Sequence, residues 1–309
     1  MSKKVIVDCD AGVDDALALI LAFHSPELEV KAVTGVNGNV PLDLVFRNIQ
    51  KVLSLIRPHQ RPFIARGSEG PLKGEPIYAY AFHGEDGLGG AIIVQKEGEE
   101  YWQLFCGRAD ELILEMAHQH PGDISLIATG PLTNVALGLQ RDPEGMKRLR
   151  EVVIMGGTVR TRGNITPFAE FNFHVDPWAA KTVLESGLPI TLVPLDVTHQ
   201  VFLTAQIVEE KISPIHDPFS EFVIQATGYD SVKRQFRPIA EVFHLHDPLA
   251  VGAVIDPKIV KKEKLALRVE TQEGGHYGQI SEFQGAPNAE VCLGVSPEKF
   301  LDLFLSRLG

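Results

Sequence analysis

The sequence predicts an α/β protein, a single domain over residues 1–309 built on an open, mostly parallel (mixed) central sheet flanked by helices. Three observations predict it. Short, wholly apolar runs such as Val5-Ile6-Val7 read as strands buried on both faces. Segments of helical spacing alternate with these runs, which is the pattern of βαβ units. No repeat, low-complexity tract or linker divides the chain, so one domain is the simpler organisation.

The elements follow in order. Residues 5–7 end at Asp8-Cys9-Asp10, Ala11-Gly12 punctuates the chain, and residues 14–23 have helical spacing. Residues 30–36 read as the second strand, 42–55 as the second helix and 62–65 as the third strand. The stretch 68–100 breaks the rhythm with Gly, Pro, Tyr and charge, which reads as a long loop or pair of loops able to serve as a lid. Regularity returns with a helix at 108–120, a strand at 124–128 and a helix after Pro131. A strand at 152–155, a glycine-rich loop, a helix at 177–186 and a strand at 190–193 come next. Residues 205–254 read as mainly helical, 265–269 and 277–283 as β, and 298–308 as a last amphipathic helix.

Composition narrows the partners. A net charge of −11 disfavours nucleic acid or an anionic membrane and is compatible with a neutral small molecule. The 3 cysteines, Cys9, Cys106 and Cys292, are far apart and form no CxxC pair, so neither a disulfide framework nor a zinc knuckle is indicated. The apolar run after Met1 is too short for a signal peptide, and no stretch is long enough to span a bilayer. A cytoplasmic location is the expectation.

Chemistry concentrates where the first strand hands over to the first helix. Asp8, Asp10, Asp14 and Asp15 place four carboxylates in eight residues, at the strand end where open α/β sheets bind ligands. Asp14 and Asp15 can be explained as helix-capping residues, worth about 0.3–1 kcal/mol each. Asp8 and Asp10 are left over, and oxygen-only ligands on a turn suit a hard cation such as Ca²⁺ or Mg²⁺. Asn37-Gly38-Asn39, Thr129-Gly130 and Met155-Gly156-Gly157 close other strands. Singly each is loop punctuation; together with the aspartates they outline a pocket on one sheet edge. Asn164, Glu170 and Asn172, interleaved with aromatics, suit sugar hydroxyls or equally a surface hairpin. His246-Asp247-Pro248 opens a helix, with Asp247 either an N-cap or a metal ligand beside a proton donor.

The motifs DCDAGVDDA, NGN, ATGPLTN, VIMGG, AEFNFHVDP and HDPLAV occur in that order from residue 4 to about 305. Together they resemble the inosine–uridine-preferring nucleoside hydrolase family. The resemblance implies a nucleoside hydrolase-like fold, Ca²⁺ as cofactor, a ribonucleoside substrate, and a homodimer or homotetramer. It implies that Asp10, Asp15, the Thr129 backbone carbonyl and Asp247 ligate the metal, and that Asp14 lies against the ribose and orients or deprotonates water. Asn39, Asn164, Glu170 and Asn172 would hold ribose hydroxyls, and Met155 would line the sugar pocket. His246 matches a histidine near the base. His83 matches another, on the long loop, and would arrive when that loop closes. Asp230 and Arg234 fall in the base-contacting region, where purine-accepting relatives carry tyrosines, and this slightly favours pyrimidines. Ala11 replaces a proline common in the family, a change expected to matter little.

Two other classes share part of this pattern. An aspartyl-nucleophile phosphatase would share Asp8-Cys9-Asp10 but needs Thr or Leu soon after and a lysine cradle. A non-catalytic nucleoside-binding protein would lack Asp14 or His246, and both are present.

Overall fold

The computed structural model describes residues 2–95, 98–229 and 242–308. The chain begins with β1 (Lys3–Cys9), α1 (Val13–Phe23), β2 (Leu28–Gly35), α2 (Leu42–Ile56) and β3 (Phe63–Arg66). After the one-turn helix α3 (Tyr80–His83) come β4 (Gln103–Arg108), α4 (Ala109–Gln119), β5 (Ile124–Ala128), α5 (Thr133–Arg141) and α6 (Pro143–Met146). Then follow β6 (Glu151–Met155), α7 (Phe171–Val175), α8 (Pro177–Leu184), β7 (Ile190–Val193) and α9 (Leu195–Thr198). The short pieces β8 (Phe202–Thr204) and α10 (Ala205–Ile207) lead into α11 (Pro218–Ala226), and β9 (Val242–His244) precedes α12 (His246–Ile255). The last elements are β10 (Val260–Leu265), β11 (Leu267–Val269), β12 (Ile280–Glu282), β13 (Ala289–Val295) and α13 (Pro297–Leu305).

Nine strands form one sheet in the order β10-β13-β7-β6-β5-β1-β2-β3-β4. All neighbours are parallel except β10 against β13. β1 lies in the middle: the chain builds outward through β2, β3 and β4, then crosses back to β5 on its other side. That reversal opens a crevice at the carboxyl end of β1, the switch point where such sheets bind ligands.

Alternation along β1 serves two helical layers. Val5, Val7 and Cys9 pack with α1, α2, α12 and α13, whereas Ile6 packs with α4, α5 and α8. α1 is buried from Val13 to Ala22, apolar after its two first-turn aspartates, as a helix between a sheet and other helices must be. α12 lies beside it with Asp247 in its first turn, so helix packing brings residue 247 to residues 14 and 15. Behind α12, Gly252 faces the fully buried ring of Phe300: a Cβ there would lie 2.6 Å from Phe300 Cε2.

The predicted fold class and the order of the main elements match the structure, with local exceptions. β4 and β13 were not anticipated. β4 is an exposed edge strand with little apolar alternation, and β13 is recognisable only from its pairing between β7 and β10. Within the stretch read as helical, β9 is a short strand, paired antiparallel with β8 just before that stretch. The long segment 68–100 is mostly irregular, yet its middle is firmly docked. Asn48 donates to the Asp86 carbonyl at 2.8 Å, Ala79 N donates to Asn39 O at 2.9 Å, and Leu88 is fully buried. No helix among the described residues is long and apolar enough to cross a membrane.

Phe300→Ala should empty the space against Gly252 and lower unfolding free energy by about 3–5 kcal/mol in denaturant titrations. A loss under about 1 kcal/mol would show that α13 does not brace α12.

Candidate active site

β1 delivers its aspartates into two environments. Asp8, still within the strand, accepts from Thr34 Oγ1 at 2.6 Å and Asn134 Nδ2 at 2.8 Å, so it ties β1, β2 and α5 together. Burial raises its pKa to about 7, against the pull of those two bonds. Asp10, past the strand end, is clamped by one residue: Asn39 donates its backbone N–H at 2.7 Å and its side-chain amide at 3.0 Å. A Cβ on Gly38 would collide with the Asp10 carboxylate, so only glycine lets the turn come this close.

Ala11 has φ +43°, in the left-handed region where a β-carbon is strained. A proline ring, fixed near φ −65°, cannot take this conformation. The sequence expectation that the replacement of the common family proline matters little for function is a separate question from this backbone geometry. Here the replacement accompanies a turn that proline would forbid.

α1 then presents Asp14 and Asp15 from its first turn. Asp15 accepts from Thr129 Oγ1 at 2.7 Å, from Gly12 N at 2.8 Å and from Asn39 Nδ2 at 3.2 Å. It thus joins the capping of its own helix to two neighbouring strand ends. Asp14 differs, because its Oδ1 is buried with no hydrogen-bond partner among the described residues. Asp14, Asp15 and Asp247 each bring an oxygen within 4.8 Å of the others, a group able to hold a metal ion. Asp247 is inside the first turn of α12, whose N-cap is Leu245, so capping does not account for it.

Burial and mutual repulsion dominate the electrostatics. Asp14 is pushed up to about 7 by burial and then by Asp15. Asp10 and Asp247 are raised well above the usual range, by burial first and by neighbouring aspartates next. Among the described residues no Lys or Arg forms an ion pair with any of these four.

The far wall comes from β5, β6 and α7. The Thr129 carbonyl accepts from Asn172 Nδ2 at 2.7 Å, and the same amide reaches the Met155 carbonyl at 3.3 Å. Glu170, 2 % exposed, binds Asn172 N at 2.8 Å, Gly157 N at 2.8 Å and Phe173 N at 3.2 Å. Glu170 therefore caps α7 and fastens the loop after β6. Asn164 is exposed and accepts from Phe171 N at 2.9 Å. The stretch read as either sugar contact or hairpin is a loop running into a short helix.

Two histidines complete the site. His83 is already packed against the amino end of α1. Its Nδ1 accepts from Val13 N at 3.1 Å and stands 3.9 Å from Asp14 Oδ1. That bond leaves the ring hydrogen on Nε2, and burial lowers the pKa to about 4. The expectation that His83 arrives only on loop closure is corrected: the docked segment holds it in place. His246 is bonded through Nδ1 to Thr198 Oγ1 at 2.7 Å. Burial, then His244, His199 and His83, hold its pKa well below the usual value. The sequence reading passed over Thr198, His199, Thr34 and the amide of Asn48, none of which stands in an acidic or glycine-rich motif, and gave no role to His244 at the head of the His246-Asp247 segment. Asp230 and Arg234 lie outside the described residues.

Known proteins resemble this chain along its whole length. A family model described as inosine-uridine preferring nucleoside hydrolase matches residues 5–302. The pyrimidine-specific ribonucleoside hydrolase RihA of Salmonella schwarzengrund is 37% identical over 316 residues, covering 100% of this chain and 99% of the relative. Among solved structures, a plant nucleoside hydrolase, PpNRh1, superposes with a TM-score of 0.90 at 30% identity, covering 100% of this chain and 99% of that one. A purine-preferring ribonucleoside hydrolase from Gardnerella vaginalis gives 0.89 at 28%, with 99% and 98% covered.

Asp8 and Asp14 are raised from 3.8 to about 7, so between those values the folded protein holds protons that the unfolded chain releases. Their contribution to stability is complete below pH 3.8 and is lost as pH rises through about 7. In chelator, the thermal midpoint should therefore fall from pH 5 to pH 8. A flat or rising midpoint in chelator would mean that the carboxylates fold already ionised. Ala11→Pro should cost more than about 1 kcal/mol in equilibrium unfolding, because the native φ is forbidden to it. Unchanged stability would show that the left-handed turn is dispensable.

Proposed function

The chain belongs to the inosine–uridine-preferring nucleoside hydrolase family, and we propose that its site is a calcium-dependent one preferring pyrimidine ribonucleosides. It is a ribonucleoside hydrolase, cleaving the N-glycosidic bond to give free base and ribose. The observation that carries the finer reading is the meeting of Asp14, Asp15 and Asp247 in one buried group, with Asp14 Oδ1 unpartnered among the described residues. A buried acceptor beside clustered carboxylates is where a water can be both held and deprotonated.

The donor set fits a hard cation, since every candidate is an oxygen. Asp10, Asp15, Asp247 and the Thr129 carbonyl would hold calcium, with Asp14 beside it. When bound, the ion supplies positive charge that acidifies a water and orders ribose hydroxyls. Asn39 keeps Asp10 in place, and Asn172 keeps the Thr129 carbonyl in place. Asn39, Asn164, Asn172, Glu170 and Met155 would surround the sugar. Glu170, with both oxygens on backbone N–H groups, supports this wall more than it offers a free acceptor.

In the reaction the water oxygen bonds to the anomeric carbon and Asp14, whose Oδ1 has no hydrogen-bond partner among the described residues, takes its proton. The carbon–nitrogen bond breaks and the base leaves with the electron pair, gaining a proton. The base takes that proton from solvent, assisted by a hydrogen bond from the neutral His246 ring, and His83, with its hydrogen on Nε2, is the second candidate.

The pyrimidine preference is supported by the full-length similarity to a pyrimidine-specific relative, although a purine-preferring enzyme shares the fold. The three free cysteines, two of them buried, suit a reducing cytoplasm. Assembly as a homodimer or homotetramer remains part of the same reading.

Asp14→Ala should lower kcat on every nucleoside by about 10²–10⁴-fold. His246→Ala should impair uridine and inosine strongly but p-nitrophenyl riboside little, because nitrophenolate leaves without protonation. Equal losses on both substrates would remove His246 from leaving-group chemistry, and selectivity confined to His83→Ala would transfer the role there. Steady-state assays on five nucleosides, with chelator and with calcium added back, test the metal and the base preference. Full activity in chelator would exclude the calcium reading.

A further inference from the structure

His246 does not stand alone at the site. Its Nδ1 is 2.7 Å from Thr198 Oγ1, and Thr198 is fully buried at the end of α9. The Thr198 backbone is itself fixed, its N–H donating to Pro194 O and its carbonyl accepting from Val201 N, both at 3.2 Å. Two further imidazoles enclose the ring. His244 lies 5.3 Å away, inclined by 30°, and His199 lies 5.7 Å away at 64°.

An imidazole turned by 180° about its Cβ–Cγ bond keeps its shape but exchanges Nδ1 with a carbon, so packing alone selects between the two orientations poorly. A hydroxyl selects between them, because it bonds to nitrogen and not to carbon. Being both donor and acceptor, it does so for either tautomer. With Nδ1 held by Thr198, Nε2 is the ring nitrogen left for substrate.

We infer that Thr198 is a positioning residue, whose hydroxyl fixes the orientation of His246 so that Nε2 meets the departing base. This rests on the reading of His246 as the group that assists the leaving base. His199 and His244 limit tilting of the ring, and the hydroxyl decides which edge faces the site.

Four variants and two substrates test it. Thr198→Val keeps the side-chain shape and removes the hydroxyl, whereas Thr198→Ser keeps the hydroxyl and removes a methyl. Thr198→Val should lower kcat on uridine by about 10–100-fold, the cost typical of a misplaced catalytic group, with little change on p-nitrophenyl riboside. Thr198→Ser should recover most of the uridine activity. In the His246→Ala background, Thr198→Val should cause no further loss, since the two residues act as a unit. Equal losses on both substrates, failure of serine to rescue, or additive losses in the double variant would each overturn the inference. His246→Ala alone separates the two levels. If it is selective for natural nucleosides while Thr198→Val is not, only the positioning role fails. If it is not selective, the premise fails and the inference with it.

Discussion

Four carboxylates buried against one another, with no Lys or Arg ion-paired to them among the described residues, set the terms for the rest of this molecule. Removing an ionised carboxylate from water costs several kcal/mol, and crowding like charges adds to that cost. Protonation is one answer: burial and neighbouring aspartates push Asp14 up to about 7, and Asp10 and Asp247 well above their usual range. A hard cation would answer by neutralisation, and the all-oxygen surroundings suit one. Either way, the cluster is stable only because the surrounding fold is rigid enough to hold these groups together.

That rigidity comes from polar clamps as well as apolar packing. Asn39 serves Asp10 twice and Asp15 once, while Thr129 links Asp15 to the end of β5. Asp8 and Asn134 bind three elements behind the site without facing it. A buried amide that donates to a carboxylate fixes the direction of its lone pairs, and that direction is what a ligand or a water encounters. Glu170 uses the same chemistry in reverse, its carboxylate gathering three N–H groups to fasten the wall opposite.

Leaving-group chemistry is built from a different material. His83 and His246 are buried enough to be neutral at rest, so each offers one N–H and one lone pair. For His83 the lone pair goes to the first N–H of α1; for His246, Nδ1 goes to a hydroxyl. A docked segment and a short helix therefore orient the two rings.

Much of this was legible in the sequence where information is local. The apolar run of β1, the acidic handover to α1 and the glycine-closed strand ends show in composition and spacing, because buried parallel strands need continuous apolar residues and tight turns need glycine. The motifs fixed the order of the pocket-forming loops. What only the tertiary structure decided depends on partners distant in the chain: Asn39 closing on Asp10, Glu170 turned to backbone N–H groups, Thr198 beside His246, and β13 placed between β7 and β10. The left-handed turn at Ala11 belongs with these, because φ at one residue is set by where both flanking elements must go. Sequence periodicity reports how an element meets solvent and core. Which side chain meets which is decided when α1 and α12 pack together, and no local pattern encodes that distance.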